Sequence, residues 1–201
     1  DTIKHTVRDQ VVKAFGGNFE EVVVGGAAFN QEVEQFLKMI EFPYTVGYGM
    51  TECGPIICYE DWNIFKAGSC GKAAPRMTLK IDSPDPQNVP GEILAKGDNV
   101  MLGYYKDPQR TKSVFTEDGW FRTSDIAVQD EKGRFFIKGR NNNMILGPSG
   151  ENIYPEEIEN VINNVEGVSE SIVVERDGKL VALVQPAENF IQWDKESEDK
   201  L

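Results

Sequence analysis

Thr51 and Glu52 place a hydroxyl and a carboxylate side by side at the end of an apolar run. Tyr44, Val46 and Tyr48 precede them at the period-two spacing of a β-strand. A hydroxyl can donate to a phosphate oxygen, and a neighbouring carboxylate can bind the Mg²⁺ that accompanies a nucleotide, because Mg²⁺ prefers oxygen ligands. The pair therefore predicts a nucleotide site, and an ordinary strand that ends in a polar turn stays open as the alternative.

Glycines accompany this candidate site on two segments. Gly47 and Gly49 lie within the strand just described, and Gly25 and Gly26 follow the apolar segment 19–24. Glycine lets a flat ligand lie on the backbone, and α/β units place ligands at the carboxyl ends of their strands. We therefore expect Gly25-Gly26 and Tyr48-Gly49 to lie side by side around one pocket.

A second carboxylate, Asp125, ends the predicted strand 121–124. A carboxylate at a strand end can accept hydrogen bonds from both hydroxyls of a ribose, as acidic residues do in dinucleotide sites. The alternative is an aspartate that only closes a turn. The residues alone leave both interpretations open.

Hydrophobic periodicity predicts the elements that would position these residues. Residues 3–15 predict a helix, Asn30 is expected to cap a second helix, and segments 19–24 and 44–48 predict strands. Together they indicate an α/β unit over about residues 1–66. The second helix has an apolar face formed by Val33, Phe36, Leu37 and Ile40.

From about residue 67 to 138 the pattern changes to short strands with Gly and Pro turns, interrupted by a helical piece at 108–115. Short strands with regular turns suggest a small barrel or a curled sheet. The predicted strands are 77–81, 91–96, 121–128 and 134–138.

A different organisation follows the Asn- and Gly-rich stretch 139–150, which is typical of a linker. Pro155 suits the first turn of a helix, and acidic residues follow it at the positive end of the helix dipole. Segments 171–175 and 179–185 predict a β-hairpin with an Asp-Gly turn.

The charge balance excludes some classes of partner. Lys+Arg 21 against Asp+Glu 33 gives a net charge of −12, which argues against nucleic acid or an anionic membrane surface, because both repel a field of that sign. No apolar run approaches the ~20 residues that a membrane span needs, and the N-terminus has no signal-peptide pattern. We therefore expect a cytoplasmic protein without a transmembrane segment.

Cysteine and histidine usage excludes further kinds of site. Cys53, Cys58 and Cys70 lack Cys-x-x-Cys spacing, which favours free thiols over a disulfide framework or a zinc site. His5 is the only histidine, and this argues against a Ser-His triad or a histidine-based metal site.

The run Tyr48-Gly49-Met50-Thr51-Glu52 resembles the signature that acyl-CoA synthetases share with other adenylate-forming enzymes, including luciferases and peptide-synthetase adenylation domains. Further blocks stand in the family's order and at plausible spacing, so the resemblance covers roughly residues 20 to 186. These blocks are Val24-Gly25-Gly26-Ala27, Gly119-Trp120-Phe121-Arg122-Thr123-Ser124-Asp125, Phe136-Ile137-Lys138-Gly139-Arg140 and Gly147-Pro148-Ser149-Gly150-Glu151-Asn152-Ile153-Tyr154-Pro155-Glu156-Glu157-Ile158-Glu159.

The resemblance implies a two-step reaction in which a carboxylate attacks the α-phosphate of ATP to give acyl-AMP and pyrophosphate, and CoA thiol then displaces AMP. Catalysis of this kind requires a metal and donors around the phosphates. By resemblance Thr51 contacts a phosphate and Glu52 holds Mg²⁺. Asp125 and Arg140 would bind the ribose, and Ile137 would pack near the adenosine. The residues expected around the adenine are Gly25, Gly26, Ala27, Tyr48, Gly49 and Met50.

The resemblance also assigns roles and shows departures near the linker. Asn142 occupies the position of a hinge that is usually Asp or Lys, and Ser149 and Gly150 would form a loop on the CoA side. Leu146 stands near the place where some relatives carry a lysine that serves the thioester step. The run 147–155 is most similar to long-chain fatty-acid ligases, which suggests the substrate class.

We expect a C-terminal-centred fragment of a larger ligase, because the chain starts at Asp1 and shows neither a Ser/Thr/Gly-rich phosphate loop nor a Gly-Lys catalytic lysine. The fold class would be α/β followed by α+β. Residues 1–140 would end a large α/β domain with a small β-barrel-like subdomain. Residues 141–201 would form the hinge and an incomplete small α+β domain.

We expect small-molecule partners (ATP or AMP, Mg²⁺, a carboxylic acid and CoA), and the fragment alone should be inactive. Peripheral membrane association of the longer enzyme stays open, and the sequence does not predict an oligomeric state. One alternative function is a nucleotide-binding or regulatory module without catalysis. Another is an acidic interaction domain that binds no adenosine.

Overall fold

A computed structural model describes residues 2–188. The chain divides into two compact units, Asp1–Ile137 and Lys138–Leu201, and each is described by itself. The last part of the predicted small domain, residues 189–201, lies outside the described residues.

The first unit begins with the predicted helix, strand, helix and strand. The Asn30 side chain accepts from the Val33 N–H at 3.0 Å, which confirms the predicted cap. The predicted apolar face of that helix is only half correct, since Val33 and Phe36 are 43% and 41% exposed while Leu37 packs into a core around Phe42. The elements are α1 (Thr2–Ala14), β1 (Val22–Val24), α2 (Gln31–Met39) and β2 (Tyr44–Val46), with β1 and β2 paired in parallel.

The predicted strand 44–48 is divided between two sheets. After β2 the chain enters β3 (Tyr48–Gly49), which pairs with β4 (Ile56–Tyr59) in an antiparallel sheet completed by β5 (Lys72–Ala73). The sequence did not predict β4 and β5, because strands of this length carry too few residues to show a hydrophobic period.

The remaining strands of the first unit form an open sheet in the order β6-β7-β8-β9. The barrel-like subdomain is therefore corrected to an open sheet among the residues that the structure describes. Four strands are too few to close around a packed interior, since about eight leave just enough room for side chains. The elements are β6 (Met77–Asp82), β7 (Gly91–Gly97), α3 (Pro108–Ser113), β8 (Phe121–Gln129) and β9 (Phe135–Arg140).

The second unit contains a small β-hairpin, a helix and a larger hairpin. Asp177 and Gly178 both have positive φ, 54° and 74°, which confirms the Asp-Gly turn of the larger hairpin. A 3-10 helix and a short strand form within the predicted linker 139–150. The elements are a 3-10 helix (Asn141–Asn143), β10 (Ile145–Leu146), β11 (Asn152–Ile153), α4 (Pro155–Ile162), β12 (Val168–Arg176) and β13 (Lys179–Pro186).

Within residues 2–188, no helix is long and apolar enough to cross a membrane.

Candidate nucleotide-binding site

Tyr48 and Asp125, which the sequence assigns to the same ligand, are in direct contact. The Tyr48 hydroxyl donates to Oδ2 of Asp125 at 2.6 Å across 77 residues of chain, and Asp125 is 6% exposed. Burial, with the Asp125 charge as the next cause, raises the pKa of Tyr48 far above its usual range. The phenol therefore stays protonated and is a permanent donor to the carboxylate.

Asp125 lies at a kink within a long strand and not at a strand end, which corrects the sequence expectation. β8 continues to Gln129, and Ser124 has φ 61°, a left-handed conformation that L-residues rarely adopt. Thr123 ties the kink to the sheet, because its hydroxyl donates to the Ile93 carbonyl at 2.9 Å and accepts from the Asp125 N–H at 3.1 Å.

A buried carboxylate that sequence reasoning missed, Glu92, braces this kink from β7. Its Oε1 accepts from the Ser124 N–H at 2.9 Å, and its Oε2 accepts from the Arg122 guanidinium. Glu92 is 6% exposed. In the sequence, the only sign of this role is that Glu92 is a charged residue directly before the apolar run 93–95.

The glycine-rich loop that follows β1 lies beside the junction between β2 and β3. The Gly47 N–H donates to the Val24 carbonyl at 2.8 Å, and a Cβ on Gly25 would lie 3.1 Å from the Gly47 carbonyl oxygen. A side chain at Gly25 would therefore push the loop and the strand apart. Ala27 and Gly26 follow on the exposed side of this loop.

Gly49 serves a different purpose from the one that the sequence suggested. A Cβ there would lie 2.1 Å from the Pro55 carbonyl oxygen, and the Met50 N–H donates to that same oxygen at 2.9 Å. Glycine at this position lets two backbone segments approach each other closely, so the residue does not need a ligand to explain it.

Thr51 and Glu52 lie on a 3-10 helix, Thr51–Cys53. Thr51 is exposed and Glu52 is half-buried. Oε1 of Glu52 accepts from the Tyr104 hydroxyl at 2.9 Å, and the Arg110 guanidinium lies 4.2 Å from the centre of the Tyr104 ring. Burial, and then the bond to Glu52, raises the pKa of Tyr104, so this phenol too stays a donor.

The donor set around Glu52 suits a magnesium ion that arrives with a nucleotide. Among the described residues, no group of three or more His, Cys, Asp or Glu side chains could hold a metal on its own. Mg²⁺ is commonly bound by one or two carboxylates together with substrate phosphates. A single carboxylate in a fixed orientation, as at Glu52, is compatible with that pattern.

The other predicted site residues lie further along the chain. Ile137 is 40% exposed at the end of the first unit. Arg140 and Asn142, both exposed, belong to the second unit. Ser149 and Gly150 form the turn between β10 and β11, where Gly150 has φ 87°. Their predicted roles stay predictions.

Comparison with known proteins identifies relatives. Residues 3–105 match the family model described as AMP-binding enzyme. The chain is 39% identical over 156 residues to a long-chain-fatty-acid–CoA ligase of Escherichia coli O6:H1, covering 75% of this chain and 28% of that protein. It is 44% identical over 153 residues to an indoleacetate–CoA ligase of Aromatoleum aromaticum, covering 70% of this chain and 29% of that protein.

Solved structures share the fold. The o-succinylbenzoate coenzyme A synthetase (MenE) from Bacillus subtilis, solved in complex with ATP and magnesium ion, has a TM-score of 0.77 and 26% identity. The alignment covers 95% of this chain and 42% of that chain. This chain therefore spans less than half the length of these relatives.

Proposed function

Because this chain belongs to the family of AMP-binding enzymes, we propose that it is the nucleotide-binding part of an acyl-CoA ligase that activates a carboxylic acid with ATP and transfers the acyl group to CoA. The ligase names of its relatives support this reaction. The chain's span of 28% of one such ligase supports the proposal that it functions within a longer protein.

The observation that carries the proposal is the hydrogen bond between Tyr48 and Asp125. It joins two sequence blocks that a common ligand would have to bring together, and it does so inside the first unit. The Gly25 loop lies beside the same strand junction. The strand junction therefore carries a hydroxyl donor, a carboxylate acceptor and a glycine loop, which are suited to contact an adenosine.

Asp125 is proposed to bind the ribose. An ionised carboxylate has about four acceptor positions on two oxygens, so accepting from Tyr48 is compatible with accepting from sugar hydroxyls. Because Tyr48 stays protonated, it holds the carboxylate in one orientation before the nucleotide arrives. This preorganisation lowers the entropy that binding would otherwise lose.

Thr51 and Glu52 are proposed to serve the phosphates. The exposed Thr51 hydroxyl can donate to a phosphate oxygen. Glu52, oriented by Tyr104, would hold a magnesium ion, which when bound neutralises charge that develops on the phosphates. Tyr104 keeps the Glu52 carboxylate in place, and the backbone bond from the Met101 N–H to the Glu52 carbonyl at 2.7 Å fixes the turn that carries it.

We propose a long-chain fatty acid as the acyl substrate. The run 147–155 resembles long-chain ligases, and a relative with that name is 39% identical. An aryl acid is the competing substrate, since the indoleacetate ligase is 44% identical.

The test is a coupled assay on the complete protein with ATP, CoA and a panel of acids, in which pyrophosphate release and acyl-CoA formation are measured separately. We expect turnover with a long-chain acid, and turnover only with an aryl acid would replace the substrate class. AMP binding without turnover of any acid would support a nucleotide-binding module instead. Absence of AMP binding would reject the proposed site.

A further inference from the structure

We propose that Glu92 is a positioning residue for the nucleotide site, because its carboxylate holds the left-handed turn at Ser124 that places Asp125 against Tyr48. The inference rests on the proposed function, since Glu92 would act on nucleotide binding only through Asp125. It assigns a role to a residue outside the sequence blocks that suggested the site.

The geometry places Glu92 where it can control the turn. Its two carboxylate oxygens accept from the Ser124 N–H and from the Arg122 guanidinium, on either side of Thr123. The pairing register between β7 and β8 shifts between Glu92 and Leu94, opposite the kinked segment. Glu92 therefore fills the irregularity in the ladder that the kink creates.

The turn needs such support. Ser124 has φ 61°, and a side chain in that conformation brings Cβ close to its own backbone carbonyl, so the residue returns to extended geometry unless its surroundings prevent it. In an extended strand successive side chains point to opposite faces. Straightening at Ser124 would therefore change the direction of the Asp125 side chain and break its contact with Tyr48.

The ion pair with Arg122 alone gives little reason for a carboxylate at this position. The residues that follow it, Ile93, Leu94 and Ala95, are buried and apolar. Burying a charged group is unfavourable unless it is paired, and replacing a buried ion pair by apolar residues is often neutral or stabilising. Arg122 is itself 41% exposed, so water could solvate its charge. The bond to the Ser124 N–H is what an apolar residue could not supply.

The test uses the complete protein and measures AMP affinity by calorimetry together with thermal melting. Glu92→Ala should weaken AMP binding by about tenfold, which corresponds to loss of one well-placed contact. Glu60→Ala is the matched control, since Glu60 is 4% exposed and paired with Arg134 but has no bond to the kink. It should lower the melting temperature while leaving AMP affinity within about twofold.

Rescue distinguishes positioning from general destabilisation. Glycine adopts positive φ freely, so adding Ser124→Gly to Glu92→Ala should restore most of the AMP affinity. Ser124→Gly should not rescue Asp125→Ala, because that variant lacks the carboxylate that is proposed to bind the ribose. If Glu92→Ala does not fold, Glu92→Gln replaces it, with a weaker loss of about threefold that Ser124→Gly removes.

The outcomes separate this inference from the proposed function. If Asp125→Ala weakens AMP binding but Glu92→Ala does not, the role of Glu92 is rejected and the site stands. If Glu92→Ala weakens binding and Ser124→Gly fails to rescue it, control of the turn is likewise rejected. If Asp125→Ala has no effect on AMP affinity, the proposed function itself fails.

Discussion

The proposed ribose end, at Asp125, and the proposed phosphate end, at Glu52, of the candidate site are built differently. Asp125 is 6% exposed and lies within a strand, where Tyr48 and the Glu92-braced kink fix it. Glu52 is half-buried on a three-residue 3-10 helix, and its orientation depends on a hydroxyl from a separate loop. Sites built on strands are held more precisely than sites on loops.

The difference suggests that the two ends contribute to nucleotide binding in different ways. The ribose end is preorganised before any ligand binds, so substitutions there should reduce nucleotide affinity directly. At the phosphate end one hydroxyl, from Tyr104, orients the Glu52 carboxylate, which suits a carboxylate that must share an ion with a ligand whose phosphates rearrange during the reaction.

The largest expected effect concerns both ends at once. The 201-residue chain on its own should release no pyrophosphate from ATP and a fatty acid, because the phosphate loop and catalytic lysine of the resemblance are not found in its sequence. Preorganised ribose binding alone does not stabilise the charge of phosphoryl transfer. Turnover above buffer, after a contaminating ligase is excluded, would contradict this prediction.

The next effect isolates the ribose end. In the complete protein Asp125→Ala should remove two charge-assisted contacts of about 1.5–3 kcal/mol each, before compensation. AMP affinity should therefore fall by tenfold or more. Asp98→Ala is the control, since Asp98 is 75% exposed and pairs with Arg76. Unchanged KM for ATP and unchanged kcat in Asp125→Ala would mean that the carboxylate only shapes the strand.

The two ends also differed in how far the sequence could predict them. Thr51, Glu52 and Asp125 could be predicted from the sequence because their residue types and local spacing suggest chemistry. Glu92 and Tyr104 were not, since each acts through a contact across 32 or 52 residues that no local pattern encodes. The residues that hold the candidate site were therefore harder to find than the residues proposed to form it.

The fold shows the same limit. The helices, the Asn30 cap and the Asp-Gly turn follow from local rules. Local rules do not predict that the expected strand 44–48 is divided between two sheets. They do not predict the exposed position of Phe36 either. A hydrophobic period identifies an apolar face, but which part of the chain covers that face depends on tertiary packing.

A smaller effect isolates the phosphate end. Tyr104→Phe removes the donor to Glu52 and should weaken the binding of Mg²⁺-ATP by about 3- to 10-fold, since a partly exposed hydrogen bond contributes roughly 0.7–1.4 kcal/mol. AMP binding without magnesium should not change. Tyr105→Phe is the matched control because Tyr105 is 88% exposed. An equal loss for AMP and Mg²⁺-ATP would show that Tyr104 supports the fold and not the carboxylate.

The smallest effect concerns the strain at the ribose end. Ser124→Gly alone should stabilise the folded protein by about 0.5–1 kcal/mol, since relief of the left-handed conformation exceeds the entropy that glycine adds to the unfolded chain. The measurement is thermal melting of the complete protein, with AMP affinity measured in parallel. Ser113→Gly, at the end of α3, should instead be destabilising by up to about 1 kcal/mol.

Affinity in Ser124→Gly should stay within about twofold of the parent protein as long as Glu92 is present, because the brace already holds the turn. A stabilised protein with unchanged affinity would show that strain at Ser124 is a cost that Glu92 offsets. A destabilised protein would mean that the serine side chain contributes more than its conformation costs, and the ribose end would then depend on Ser124 as well as on Glu92.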